Sequence, residues 1–426
     1  MSRQNAGDAL AIHGGPKVRA APWPARGLFG DEEKRAVVAW MDRAIEAGQF
    51  PPYHGPEEEA YCREFADRLG GGYADGVNSG TNALYVALRA MEIEPFSEVI
   101  VPPITDPGGV MPVALINCIP VPADAAPNSL NTGADQIAAR LTGRTSSVVV
   151  AHIAGLPVDM PAVMELARSR GLGVIEDCAQ THGATCASRP VGTFGDVAAF
   201  STMAGKLHAT GGQGGAVFTR SEELYWRVRR HADRGKPFGL AGASGNVVAS
   251  LNCNMDELHA AIGRVQLRKL PEVVRRRRDL ARRIADGCCR RLRTVRLAEP
   301  LPGCEGAYWF LLLEMDLEAL RTGKQEFVDA LAAEGIPVGA DYLHAPALAE
   351  WFRRREVFGR SGLPWSSPRY RGDPERQYDV PNAVAAEARH FRMMFHERCG
   401  EREVADALAA MEKVERACIR EDADDH

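Results

Sequence analysis

Residues 196–219 read DVAAFSTMAGKLHATGGQGGAVFT. Two apolar runs, 197–200 and 216–218, flank a single lysine, Lys206, and a backbone stripped of side chains at Gly211-Gly212-Gln213-Gly214-Gly215. Runs of this kind predict two short strands, and glycines let a ligand approach the main chain closely. Two readings fit the stretch alone: a small, flat, anionic ligand held near Lys206, or a hairpin with a glycine-rich turn and a surface lysine. The rest of the chain decides between them.

Moving outward, strands and helices alternate. Upstream, GVNSGTNALYVALRAM (76–91) reads as a Gly/Ser/Thr turn feeding an apolar helix. Residues 98–103 and 146–153 read as strands, 116–121 as an apolar run, 134–141 and 160–170 as helices, and 173–177 as a strand ending in Asp177. This alternation predicts an α/β fold, a mostly parallel central sheet with helices on both faces. Ligands of such sheets sit beyond the carboxyl ends of the strands. Asp177 ends a strand, Ser201 follows one, and Ser79-Gly80-Thr81 opens a helix, so all three can share one edge.

The flanks are simpler. Residues 10–26 read as a Gly/Pro-rich arm outside the core, followed by a helix from Gly30-Asp31 with Val37, Val38, Trp40, Met41 and Ile45 in a stripe. Tyr53 and His54 read as loop packing, and Tyr61, Phe65 and Leu69 share a face of a second helix. Downstream come a helix (221–233), a glycine loop (235–245), the helix NCNMDELHAAIGRVQLRKL (252–270), and a long helix whose arginines read as a solvated face. A strand (307–315), a helix (325–335), a strand (337–343), a helix through 404–414 and an acidic tail (421–426) suggest a smaller α+β unit. The expected division is 1–55 as arm and helix, 56–270 as the large ligand-binding domain and 271–426 as the small one.

Composition excludes several classes. A formal net charge of -5 gives no basic footprint for nucleic acid. No apolar run approaches the ~18 residues of a membrane span, and the N-terminal MSRQNAGDALAIHGG lacks the apolar core of a signal peptide. The ten cysteines form no CxxC pair and no His/Cys metal spacing, and adjacent Cys288 and Cys289 are poorly placed for a disulfide. A cytoplasmic protein without a metal site is expected.

What can a lysine, a strand-end aspartate and a hydroxyl/glycine helix start do together? The helix start offers free N–H groups and a positive dipole end to a phosphate. A partly neutral lysine forms a Schiff base with an aldehyde. A buried aspartate pairs with a protonated ring nitrogen. Pyridoxal 5′-phosphate needs all three.

GVNSGTNAL, VIEDCAQTHGA, AFSTMAGK and GQGGAVFT together resemble the DegT/StrS family of fold type I, pyridoxal phosphate-dependent sugar and aminocyclitol aminotransferases. NCNMDELHAAIGRVQLRKL fits the same pattern, and order and spacing agree over roughly residues 10–270. The resemblance implies that Lys206 carries the cofactor and Asp177 pairs with its ring nitrogen. Gln180 is then the partner of the 3-hydroxyl side, while Gly80, Thr81 and Ser201 bind the phosphate. Asn252 matches an asparagine that reaches the phosphate from the neighbouring subunit, which implies a homodimer. His182 is expected as structural support. The implied reaction moves an amino group from glutamate or glutamine, through the pyridoxamine form, to a keto-sugar or keto-cyclitol in aminosugar or antibiotic biosynthesis. A sugar dehydratase and a non-catalytic regulatory member are the alternatives. Relatives using the dehydratase route tend to carry histidine where Lys206 stands, and no extra regulatory domain is visible.

The chain departs from the pattern at the substrate end. Asp106 stands where the family has a ring-stacking aromatic, Gln213 replaces the acid of GEGG, and Asn254 replaces the arginine of NxRM. FRMMFHERCG (391–400) occupies the place of an LPxxP segment.

Overall fold

The computed structural model describes residues 9–342 and 345–420. The acidic tail and Leu343, the last residue of the run expected as a strand, lie outside them. A seven-stranded sheet forms the centre: β1 (Tyr73–Val77), β2 (Glu98–Val101), β3 (Ile119–Pro122), β4 (Thr145–Ala151), β5 (Gly173–Asp177), β6 (Val197–Ser201) and β7 (Gly215–Thr219). Their order is β1-β7-β6-β5-β4-β2-β3. β7 alone runs antiparallel to its neighbours β1 and β6. The other six strands are parallel, so β1, β5 and β6 end at one edge.

The strands read as continuous apolar runs because both faces are buried. Val149, Ile175, Val197 and Ala199 point into one core with α3 (Gly80–Ala90), the helix that follows α1 (Asp31–Ala47) and α2 (Pro56–Arg68) in the chain. The alternate residues Val148, Val150 and Val174 enter a second core, and Ala198 and Phe200 a third around Tyr61 and Phe65 of α2. The period of two that separates these cores is the strand pleat itself.

Further along, α4 (Met160–Arg170) and α5 (Glu222–Ala232) cover the sheet, and α6 (Glu257–Arg291) runs 35 residues, unbroken through residue 270 and with Pro271 inside it. A four-stranded antiparallel sheet follows, ordered β8 (Val295–Leu297), β9 (Leu311–Met315), β11 (His390–Met393) and β10 (Val338–Gly339). It is packed by α7 (Lys324–Ala333) and α8 (Glu401–Cys418).

Four local readings change. The arm is irregular in backbone but buries Leu10 in the small core and Arg19 against Glu403 and Asp406. The helix expected over 134–141 ends at Ala138. The strand expected over 307–315 begins only at Leu311, because Tyr308 takes a positive φ of 52° and the N–H groups of Ala307 and Trp309 donate to Gly155 and Ala154 instead. Arg277 leaves the solvated face: it is buried and bridges Glu397 to the carbonyls of Tyr308, Trp309 and Phe395. The stripe on α1 is only partly covered: Val37 and Trp40 are half-buried, whereas Val38, Met41 and Ile45 are exposed, Ile45 to 72% and the nearby Phe50 to 98%.

Candidate active site

β6 and β7 form an antiparallel pair whose long connection carries Lys206. The topology of the hairpin reading therefore holds, but its surface lysine does not. Thr202 and Thr210 close the loop with an Oγ1–Oγ1 hydrogen bond of 2.7 Å, and Thr202 N–H donates to Gly214 O at 2.8 Å. Gly214 is required there, since a Cβ would strike both hydroxyls. Lys206 is 7% exposed, with its Nζ 3.7 Å from the centroid of the Trp309 ring. Burial lowers its pKa from 10.5 to about 8, against the opposing pull of Asp177 and Asp106. At pH 7 roughly a tenth of such an amine is neutral, hundreds of times more than for an ordinary lysine.

Asp177 stands at the end of β5, three strands from β1, and accepts a hydrogen bond from Ala179 N–H at 3.0 Å. Burial pushes its pKa up, while that bond, Lys206 and His152 pull it down. Ser201 ends β6 and is buried. Ser79 caps α3 by accepting from Asn82 N–H at 3.1 Å, which leaves the first-turn N–H groups pointing out of the helix. The start of α3 presses on the end of β6: a Cβ on Gly80 would lie 2.6 Å from Ser201 Cβ. The turn Pro107–Gly109 lies between Thr81 and Asp177. A Cβ on Gly108 would strike Thr81 Oγ1, and one on Gly109 would lie 3.0 Å from Asp177 Oδ2.

Asp106 caps this turn, its Oδ1 accepting from Gly108 N–H at 3.0 Å, and its carboxylate acts electrostatically on Lys206, Asp177 and Tyr342. Gln180 is buried behind the edge. Its Oε1 accepts from Ala154 N–H at 2.7 Å, and its Nε2 donates to the Tyr342 hydroxyl at 2.5 Å. His182 Nε2 donates to Ser201 O at 2.8 Å, and burial drops its pKa to about 4, so it is a neutral prop under the strand end. Asn252 is exposed beside the end of β1, where Asn78 Nδ2 donates to its carbonyl at 3.5 Å and Asn254 Nδ2 to its Oδ1 at 2.9 Å. The structure thus gathers Lys206, Asp177, Ser201, Gly80 and Thr81 at one edge, with Gln180 behind it and Asn252 outside.

Three participants escape a motif reading. Trp309 is held by Nε1 donating to Gly205 O at 2.9 Å, and it meets Tyr342 edge-on at 6.2 Å. The aromatic triplet Tyr308-Trp309-Phe310 was the available signal, masked by its likeness to a core strand. Tyr342 has no local signal. Neither has Arg26 of the arm, whose Nη2 donates to the Lys206 carbonyl at 2.8 Å and whose Nε donates to Glu397 at 2.9 Å.

A sheet of this order, with a partly neutral buried lysine and a strand-end acid at one edge, is the framework of the fold type I aminotransferases. The solved aminotransferase of Psychrobacter cryohalolentis superposes with a TM-score of 0.79 at 29% identity, over 93% of this chain and 99% of that one. The aminotransferase TlmJ of Streptoalloteichus hindustanus gives 0.77 at 27% identity, over 91% and 97%. The chain belongs to the DegT/DnrJ/EryC1/StrS aminotransferase family, whose profile matches residues 31–404. It is 32% identical over 369 residues to the L-glutamine:2-deoxy-scyllo-inosose aminotransferase of Streptomyces fradiae, covering 82% of this chain and 85% of that protein.

Proposed function

We propose that the protein is a pyridoxal phosphate-dependent aminotransferase that moves an amino group from glutamine or glutamate to a keto-cyclitol or keto-sugar. The observation that carries the reading is Lys206: a buried amine with its pKa brought down to about 8, set opposite Asp177 at the same sheet edge. The surroundings fit the cofactor. Glycines at 80, 108 and 109 leave the room that Cβ atoms would fill, and the α3 N-terminus with Ser201 and Thr81 supplies donors for a phosphate. The cofactor supplies an aldehyde carbon for amines and a ring that takes up the electron pair released at a substrate Cα.

The residues divide the remaining work. Asp177 holds a proton on the ring nitrogen. Lys206 Nζ would carry the cofactor and, with its lowered pKa, would be the group that moves a proton at the substrate carbon beside the amine. Trp309 covers the amine against water. Asn252 of a second copy completes the phosphate site, which makes the homodimer part of the reading. The outward stripe Val38, Met41 and Ile45 with Phe50 supports it, being an apolar face left open in one chain. All ten cysteines are unpaired, in keeping with a reducing, cytoplasmic setting. Among the described residues, no helix is long and apolar enough to cross a membrane. The acceptor class follows the Streptomyces fradiae relative, which is named for a glutamine donor and an inosose.

The test is two half-reactions. The cofactor-loaded protein is mixed with glutamine or glutamate and its visible absorbance should fall. The aminated form is then mixed with a panel of keto-cyclitols and keto-sugars, and the absorbance should return with one of them. No response to any amino acid overturns the aminotransferase reading. A response to amino acids with none to the panel overturns the acceptor class.

A further inference from the structure

We propose that Arg392 binds a carboxylate of the amino-acid donor. The proposal rests on the transamination reading above and adds a residue that no family motif marks.

The strand β11 alternates. Phe391 and Met393 enter the small core with Leu311 and Leu313, whereas Arg392 and its cross-strand partner Leu312 take the opposite face, where Leu312 joins Phe310 and Tyr342. On its other side Arg392 pairs with Gly339 of β10. A Cβ on Gly339 would stand 2.9 Å from Arg392 Nε and 3.6 Å from its Cγ, so the side chain lies across the glycine. The guanidinium carbon is 6.0 Å from the Tyr342 ring centroid. Tyr342 in turn bonds Gln180 and meets Trp309, the ring under Lys206 Nζ. Arg392 therefore stands at the outer wall of the site, two rings from the reactive amine.

Its isolation is the telling feature. Arg26 and Arg277 also border the site, but both are bound to Glu397 and to backbone carbonyls. Arg392 is half-buried and, among the described residues, its side chain makes neither a hydrogen bond nor an ion pair, only the ring contact. Withdrawing a guanidinium partly from water without an anion costs free energy, and a bound carboxylate offsets that cost through paired N–H···O bonds. The amino donor carries such a carboxylate at a fixed distance from its own amine, the group that must reach Lys206 at the sheet edge. A keto-cyclitol has no anionic group to offer.

The test uses the cofactor-loaded enzyme in single half-reactions. With Arg392→Gln, the half-saturating concentration of glutamine or glutamate should rise about 30-fold, the usual scale for losing a charge-assisted hydrogen-bonded pair. The limiting rate and the acceptor half-reaction should stay within about threefold. Arg392→Lys should recover part of the loss. Gly339→Ala, which crowds the guanidinium from the facing strand, should raise donor half-saturation in the same direction and serves if the glutamine variant folds poorly. The wild type should also prefer the free donor to its α-amide, and Arg392→Gln should not. Unchanged donor saturation in Arg392→Gln and Gly339→Ala overturns the proposal, as does a rise confined to the acceptor half-reaction, which would assign the charge to an acceptor phosphate. A wild type that reacts with no amino acid removes the transamination reading itself, so the two failures are distinguishable.

Discussion

The two ends of this site are built differently. At the cofactor end, Lys206, Asp177, Ser201, Gly80 and Thr81 come from one edge of one sheet and are fixed by backbone geometry: strand ends, a helix start and glycines with no room for a side chain. At the substrate end, Trp309, Tyr342 and Arg392 come from a strand approach, a loop and the small sheet and meet through their side chains, and Asp106, from a turn, acts on Tyr342 by its charge. The first end is over-determined, because every position is also required by the fold. The second is free to vary, and substitutions should separate the two.

The largest effect belongs to Lys206→Ala. Among the described residues no other amine lies over the Trp309 ring, so the visible absorbance of the loaded protein and both half-reactions should vanish, a rate loss on the order of 10⁴-fold or more. Retained absorbance in the variant refutes the lysine assignment. Asp177→Asn comes next. The amide fills the same space and can keep the Ala179 N–H bond, but it cannot hold a proton on a ring nitrogen. Cofactor affinity should change little while turnover drops about 10²- to 10³-fold. Turnover within a few-fold of wild type would remove Asp177 from the electron-sink role.

The contrast also explains what the sequence could and could not reveal. Strand ends and helix starts are local events, so Asp177, Ser201 and Ser79-Gly80-Thr81 were legible from turn chemistry and apolar runs, and their shared edge follows from parallel strands. The boundaries of β5 and α4 were equally legible. Tyr342, Arg392 and Arg26 were not, because their roles depend on contacts far apart in the chain: 50 positions from Arg392 to Tyr342, 162 from Tyr342 to Gln180 and 180 from Arg26 to Lys206. Trp309 was visible but misread. Its apolar neighbours imitate a buried strand, and only the positive φ at Tyr308, which no side chain announces, turns it toward Lys206. The arginine run of α6 misled in the opposite direction: a charge pattern describes a helix face, yet Arg277 sits on the turn that meets the small sheet.

A smaller effect is expected at Trp309. Trp309→Ala should admit water to the amine and raise the Lys206 pKa from about 8 toward its ordinary 10.5. Loss of the ring–cation attraction works the other way, but at ~2 kcal/mol for a desolvated pair it is smaller than the roughly 3 kcal/mol that corresponds to a fall from 10.5 to about 8. Each unit of rise cuts the neutral amine at pH 7 about tenfold. Capture of added cofactor by the stripped protein should slow accordingly, with its pH inflection moved upward. An inflection that stays near 8 would show that other walls of the site keep the amine dry.

The smallest effect, and the finest probe of the boundary between the two ends, is Asp106→Asn. The neutral amine is the nucleophile, so capture of cofactor should increase with pH through about 8 and level off above it. Asp106 favours the ammonium form, as Asp177 does, and so holds this inflection higher than burial alone would set it. Asparagine keeps an oxygen for the Gly108 N–H and hence the turn, while removing the charge. The inflection should therefore move to lower pH, by a few tenths of a unit, because the Asp106 side chain is exposed and screened by solvent. The shift should shrink as salt is raised, which a change of turn geometry would not do. If Asp106 instead acts only as a cap, Asp106→Asn leaves the inflection unmoved at low salt, and the substrate end has no electrostatic hold on the lysine.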